Sequence, residues 1–193
     1  MTLFLFFVLV VFLSFYFCFA RFREKKMDRY FFYEDRFLSE HDFRNLQQLL
    51  SDTVFTTPDI EPNGGYYRYN TIVDSPEIRS LLEKYMPILR SRIGNNRVYL
   101  ANFPLEYRKY ESGSFMLRHK DVCFYRIPQY ECVLTLSNTS DSITFMEDHP
   151  IASVPNSIMI VRANGIDHEV SQITNGGERR ILKFVLTETD DLI

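Results

Sequence analysis

The hydrophobic pattern divides the chain into three unlike stretches. Residues 1–20 carry no charged side chain. As a helix rising about 1.5 Å per residue they would span about 30 Å, the hydrocarbon thickness of a bilayer. Residues 21–38 mix charged and aromatic positions without a period and read as a juxtamembrane linker. Residues 39–193 carry the pattern of a folded domain. Ser39-Glu40-His41-Asp42 has the form of a capping box, and Phe43, Leu46, Leu49 and Leu50 follow at helical spacing, which predicts an amphipathic helix over 40–51. Turn residues and a short extended segment fill 52–73. Ser75-Pro76-Glu77 starts a second helix, with serine as the cap and proline at the first position. Ile78, Leu81, Leu82, Tyr85, Met86 and Leu89 then form one apolar stripe, and Gly94-Asn95-Asn96 ends it.

From residue 97 the period drops to about two. The runs 97–101, 105–111, 115–120, 130–137, 142–146, 157–162, 167–172 and 180–187 predict eight short strands. This is an α+β pattern that is mainly β, an antiparallel sandwich or barrel with the preceding helices buttressing one sheet.

Composition narrows the class. A chain of 193 residues, 46% apolar, is long enough for one domain with a substantial core. Its net charge of -3 argues against nucleic acid as a partner. Three cysteines, Cys18, Cys123 and Cys132, make no disulfide framework, and without a C-x-x-C pair a zinc ribbon is excluded.

The basic residues Arg21, Arg23, Lys25, Lys26 and Arg29 follow the apolar run, whereas a signal peptide carries its basic residues before the core. Residues 1–20 therefore read as an uncleaved transmembrane anchor in a lipid bilayer, with a signal peptide ending at Cys18-Phe19-Ala20 as the alternative. Basic residues on the C-terminal flank place the domain on the cytoplasmic side. The sequon Asn138-Thr139-Ser140 points the other way, to a lumenal or secretory location. The apolar run followed by a basic cluster also resembles envelope-sorting sequences of large insect DNA viruses.

Candidate chemistry begins at His119-Lys120-Asp121. Alternate strand residues share a face, so this imidazole and carboxylate can meet one metal ion if the strand end bends. They are two thirds of a facial triad that holds non-haem Fe(II). H-x-D alone is a weak signal. His41, in the first turn of a helix, and His149, in a loop before Pro150, read as solvated residues rather than ligands.

The distal stretch changes the balance. Tyr110, Gly113, His119-Lys-Asp121, Val154-Pro155-Asn156, His168-Glu-Val170 and Gly177-Glu-Arg179 occur in order, with Ser142-Ile-Thr-Phe145 between them. Taken together they resemble the prolyl 4-hydroxylase-like branch of the Fe(II)/2-oxoglutarate-dependent dioxygenases. The resemblance covers roughly residues 100–187 and implies a double-stranded β-helix, a jelly-roll or cupin-like core. It implies His119, Asp121 and His168 as ligands of Fe(II). Arg179 would take the distal carboxylate of 2-oxoglutarate, with Lys183 as the alternative, and Tyr110 would donate its hydroxyl to the same cosubstrate. Strand parity puts Arg179, Ile181 and Lys183 on one face, leaving Arg180 as a surface cation. The implied reaction consumes O2 and releases succinate and CO2, with ascorbate as reductant. The implied substrate is a side chain of a protein or peptide, prolyl first and lysyl second. Ser112-Gly113-Ser114, Leu136-Ser137-Asn138 and Pro155-Asn156 depart from the family pattern at positions that line the pocket. The rival readings are a membrane-tethered binding or structural protein on a dioxygenase fold, and a cupin-like metal enzyme that uses no 2-oxoglutarate.

Overall fold

The computed structural model describes residues 30–61, 64–126 and 128–192. The anchor assigned to residues 1–20 lies outside them. Among the described residues no helix is long and apolar enough to cross a membrane.

Ser39 caps α1 (Glu40–Leu49), its Oγ accepting from the Asp42 N–H at 3.2 Å. The reciprocal half of the box runs through a third residue. The Ser39 N–H donates to the Tyr85 hydroxyl, which in turn donates to Asp42 Oδ2. The second predicted helix is two, α2 (Pro76–Lys84) and α3 (Met86–Ile93). Pro87 has no N–H to continue the ladder, so the chain breaks at Tyr85. The apolar stripe survives the break: all six of its residues are buried. Gly94, at φ 74°, closes α3 in the left-handed conformation.

The rest is a curled antiparallel sheet of twelve strands. These are β1 (Phe31–Glu34), β2 (Pro58–Ile60), β3 (Tyr66–Ile72), β4 (Tyr99–Leu100), β5 (Glu106–Tyr110) and β6 (Phe115–His119), then β7 (Gln129–Asn138), β8 (Thr144–Met146), β9 (His149–Ile151), β10 (Ser157–Arg162), β11 (His168–Val170) and β12 (Arg179–Thr187). The order is β1-β10-β7-β12-β5-β3-β6-β11-β8-β9, with β2 on β3 and β4 on β12. All eight predicted strands appear. β1 was not expected, and it turns part of the supposed linker into an edge strand paired with β10. β9 puts His149 in a short strand rather than a loop.

Alternation decides what each long strand does. Cys132, Leu134 and Leu136 of β7, with Leu182, Phe184 and Leu186 of β12, pack against Leu46, Leu82 and Leu89 of the helices. Their odd-numbered neighbours Glu131, Val133, Arg179, Ile181 and Lys183 face the other way, into the space between the two halves of the curled sheet. Each large apolar side chain buried on the helix side contributes about 1.5–3 kcal/mol. The helices therefore stiffen one half of the sheet and leave its inner face for chemistry.

Candidate metal centre and active site

His119 ends β6 and His168 opens β11, and the two are register partners across the antiparallel pair. Their rings lie 4.3 Å apart between centroids. Past His119 the strand stops and the chain turns back, bringing Asp121 over both rings. Asp121 Oδ1 is 3.7 Å from His119 Nε2, and Oδ2 is 3.6 Å from His168 Nε2. Ligand atoms of the three residues all lie within 4.8 Å of one another.

Both imidazoles are oriented from behind. His119 Nδ1 lies 2.8 Å from the Leu117 carbonyl and His168 Nδ1 3.3 Å from that of Ile166. A proton on Nδ1 satisfies each carbonyl and frees Nε2 to bind a metal. Burial pushes the His168 imidazole below its ordinary pKa, which favours the neutral form that ligates. At His119 burial acts the same way, but the neighbouring Asp121 carboxylate and the Leu117 carbonyl outweigh it and the value rises. Burial would raise Asp121; the two imidazoles outweigh that and hold it below the usual carboxylate range. Two imidazole nitrogens and one carboxylate at one point suit a divalent ion such as Fe(II).

The bend that carries Asp121 is clamped by Gln129, which is fully buried. Its Oε1 accepts from the N–H of Phe124 (2.7 Å) and Tyr125 (3.1 Å), and its Nε2 donates to the Val122 carbonyl and to Glu131. The Asp121 carbonyl itself accepts from the Asn164 N–H at 2.9 Å.

A pocket runs inward from the triad to Arg179. Arg179 is 2% exposed and pairs with no carboxylate among the described residues. Nη1 donates to Thr144 Oγ1 at 2.9 Å, while Nε is buried with no acceptor. Burial pushes this guanidinium below its ordinary pKa. Tyr110, 3% exposed, lines the same pocket. Burial alone would raise its hydroxyl, but Arg68, Arg108 and Arg179 outweigh that and lower it. A buried cation with one donor unmade, in a pocket also lined by Asp121 and His168, fits a dicarboxylate that chelates the ion and reaches back.

The other candidates fall elsewhere. Lys183 lines the pocket, yet its Nζ is engaged 2.8 Å from Glu131 and 3.7 Å from Glu106. Arg180 is on the opposite face and pairs with Glu178 at 2.8 Å. His41 and His149 are exposed, and neither joins the ligand cluster, although His149 is the register partner of Met146, which pairs in turn with His168. The sequon residue Asn138 donates its Nδ2 to the Ser153 carbonyl at 2.8 Å.

Sequence reading missed Arg68, Glu106, Arg108 and Glu131, all at most 9% exposed and all close to the site. Glu106, Arg108 and Tyr110 alternate along β5, and that spacing was the available signal. Charged residues at every second position ordinarily mark a solvated face, so the pattern alone points outward.

No family model matches the chain, and neither does any curated protein sequence. Solved structures do. A 2OG-Fe(II) oxygenase from Burkholderia pseudomallei aligns at TM-score 0.64 with 12% identity, covering 83% of this chain and 86% of that one. A viral collagen prolyl hydroxylase of Paramecium bursaria Chlorella virus-1, in complex with 2-oxoglutarate, aligns at 0.59 with 11% identity over 82% and 97%. A Trichoplax adhaerens prolyl hydroxylase, bound to a hypoxia-inducible factor peptide, aligns at 0.60 with 14% identity over 83% and 84%. The fold is that of the 2-oxoglutarate/Fe(II) oxygenases, in their prolyl 4-hydroxylase-like form. In this chain the pocket lined by Arg179 and the cluster of His119, Asp121 and His168 lie between the two halves of the curled sheet. At such low identity the likeness concerns the fold, and the chemistry has to be argued from the side chains.

Proposed function

We propose that the protein is an Fe(II)- and 2-oxoglutarate-dependent hydroxylase of a protein side chain, prolyl in first place and lysyl in second, built on a double-stranded β-helix. The observation that carries this reading is the buried Arg179, with its unsatisfied Nε, in the pocket lined by Asp121 and His168, which cluster with His119. A metal enzyme without a dicarboxylate cosubstrate has no use for such a cation.

His119, Asp121 and His168 would hold the iron through two Nε2 atoms and a carboxylate, leaving one face of the ion open. Bound iron would supply O2 activation coupled to decarboxylation of 2-oxoglutarate to succinate and CO2, with ascorbate keeping it reduced. Arg179 would take the distal carboxylate on its planar fork, with Thr144 holding Nη1 in place. Tyr110, in the same pocket, offers a hydroxyl donor. Val133, Met159 and Ile181 line the pocket and exclude water around the cosubstrate chain. The peptide bound to the Trichoplax neighbour supports a polypeptide as substrate.

Residues 1–20 would anchor the protein in a bilayer, with the basic cluster keeping the catalytic domain on the cytoplasmic face. Protease protection in sealed vesicles tests this: the domain should be digested from the cytoplasmic side.

The activity is tested by succinate release from full-length protein in mild detergent with Fe(II), ascorbate and 2-oxoglutarate, beside His119→Ala. Turnover in the wild type that His119→Ala abolishes is the expected result. No turnover, together with no metal-dependent binding of 2-oxoglutarate, would overturn the reading in favour of a tethered, non-catalytic binding protein.

A further inference from the structure

We propose that the substrate segment is acidic, and that a carboxylate flanking the reacting residue is received by Arg68 in the wall of the cleft beside the metal triad. This deepens the hydroxylase reading above and rests on it.

A cleft of about 590 Å³ opens next to His119 and Asp121 and shares Asp121, Arg108 and Lys183 with the pocket that Arg179 lines. Its charges do not cancel. Arg108 is closed by Glu106, and Lys183 by Glu131 at 2.8 Å. Asp121 belongs to the metal ligands. What remains along the cleft is Arg118 and Lys120 against Glu61, together with Arg68, which pairs with Asp59 at 3.1 Å through Nε only.

Arg68 is the informative member. It sits on β3, is 6% exposed, and packs its guanidinium 4.0 Å from the centroid of the Tyr66 ring. Nε donates to Asp59 Oδ2 at 3.1 Å and the guanidinium lies beside the Tyr110 hydroxyl, whose pKa it helps to lower, while buried Nη1 makes no hydrogen bond of full geometry. A buried donor left unmade is costly, and a ligand oxygen would recover that cost. The mouth is cationic as well. Arg118 lies 3.9 Å from Asp148, whose side chain is 96% exposed, and Lys120 lies 4.0 Å from Asp167. Pairs this long and this exposed neutralise little. Leu117 and Val122, 56% and 68% exposed, flank the same opening and offer apolar surface to the backbone on either side of the reacting residue. A guanidinium with a donor to spare, lining a cleft with a cationic mouth, favours a carboxylate over a neutral carbonyl.

The test uses four peptides of about ten residues: alternating Glu-Pro, Gln-Pro, Glu-Ala and Gln-Ala. Binding to full-length protein loaded with Mn(II) and 2-oxoglutarate is measured by isothermal titration, for wild type and Arg68→Gln. Each Glu peptide should bind at least about tenfold more tightly than its Gln counterpart, equivalent to about 1.4 kcal/mol. Arg68→Gln should level the two. Should Arg68→Gln fail to fold by circular dichroism, the double variant Arg118→Gln/Lys120→Gln, at exposed positions, should lower the ratio at least about threefold. Equal binding of Glu and Gln peptides, binding of neither, or a ratio untouched in folded Arg68→Gln overturns the proposal. A Glu preference that holds for the Ala peptides, without oxidation of the Pro peptides by mass spectrometry, supports the acidic site and removes proline as the target. Absence of succinate release sinks the hydroxylase reading separately, because the binding ratio is read without turnover.

Discussion

Arg179 is where one side chain carries the most meaning. Arg179→Gln removes the charge and half of the fork, so affinity for 2-oxoglutarate, titrated calorimetrically with Mn(II), should fall at least about 30-fold, the loss expected when one partner of a buried charge pair is truncated. Asn156 is the structural counterpart. It stands where the family pattern has glycine, at φ 62°, and its amide both accepts from the Leu38 N–H and donates to the Leu38 carbonyl, each at 2.9 Å. Asn156→Ala should cost about 2–4 kcal/mol, from the lost bonds plus a left-handed backbone; Asn156→Gly keeps the backbone and should cost about half as much. Thermal unfolding of the two variants separates the contributions. The left-handed tolerance of Asn156 was legible in the sequence. Its partner, 118 residues earlier, was not, because nothing local links Leu38 to that turn.

At the scale of elements, α1 and α2 are tied by one carboxylate. Asp42 Oδ2 accepts from Lys84 Nζ at 2.7 Å, the Tyr85 hydroxyl at 2.6 Å and Ser39 Oγ at 2.8 Å. Lys84 first, then Tyr85 and Ser39, hold this carboxyl well below the usual range. A depressed folded pKa means stability that is present above the unfolded value of about 3.9 and is lost as pH falls through it towards the folded value. The melting temperature should therefore drop below about pH 4. Asp42→Asn should start lower at pH 7, by about 1–2 kcal/mol of stability, and lose less on acidification. The turn after β6 supplies the second element prediction. Gln129→Ala frees the bend that aims Asp121, and Mn(II) affinity by calorimetry should fall about 10–100-fold, the usual effect of removing support behind a ligand. Helical stripes and alternating strands were readable from spacing alone. The break at Tyr85 was readable too, from Pro87, but the continuous stripe across it masked the signal. β1 was missed because four residues of mixed polarity become a strand only where β10 offers an edge.

The whole molecule shows why the site needs the fold. Its metal ligands come from the end of one strand, a loop and the start of another strand, 49 residues apart in sequence from His119 to His168. No unfolded chain presents them together, so a divalent ion binds the native state almost exclusively. Mn(II) at about 100 times its dissociation constant should stabilise the protein by about 2.7 kcal/mol, and chelation should reverse the shift in melting temperature. An ion that bound the folded and unfolded chain equally would leave that temperature unmoved.

The sequence by itself determined the elements and the chemical alphabet of the site. Period and capping mark helices and strands because burial on one face imposes 3.6 or 2 residues per repeat. The ordered motif from Tyr110 to Arg179 names the groups that the pocket contains. Which charged residues are buried was decided only by the tertiary structure. Arg68, Glu106, Arg108, Glu131 and Lys183 have the composition of a solvated surface, and a charge is tolerated inside only where partners converge on it. That convergence comes from curling the sheet until β5, β7 and β12 face β6, β8 and β11, a geometry set by long-range pairing rather than by any residue's neighbours in the chain.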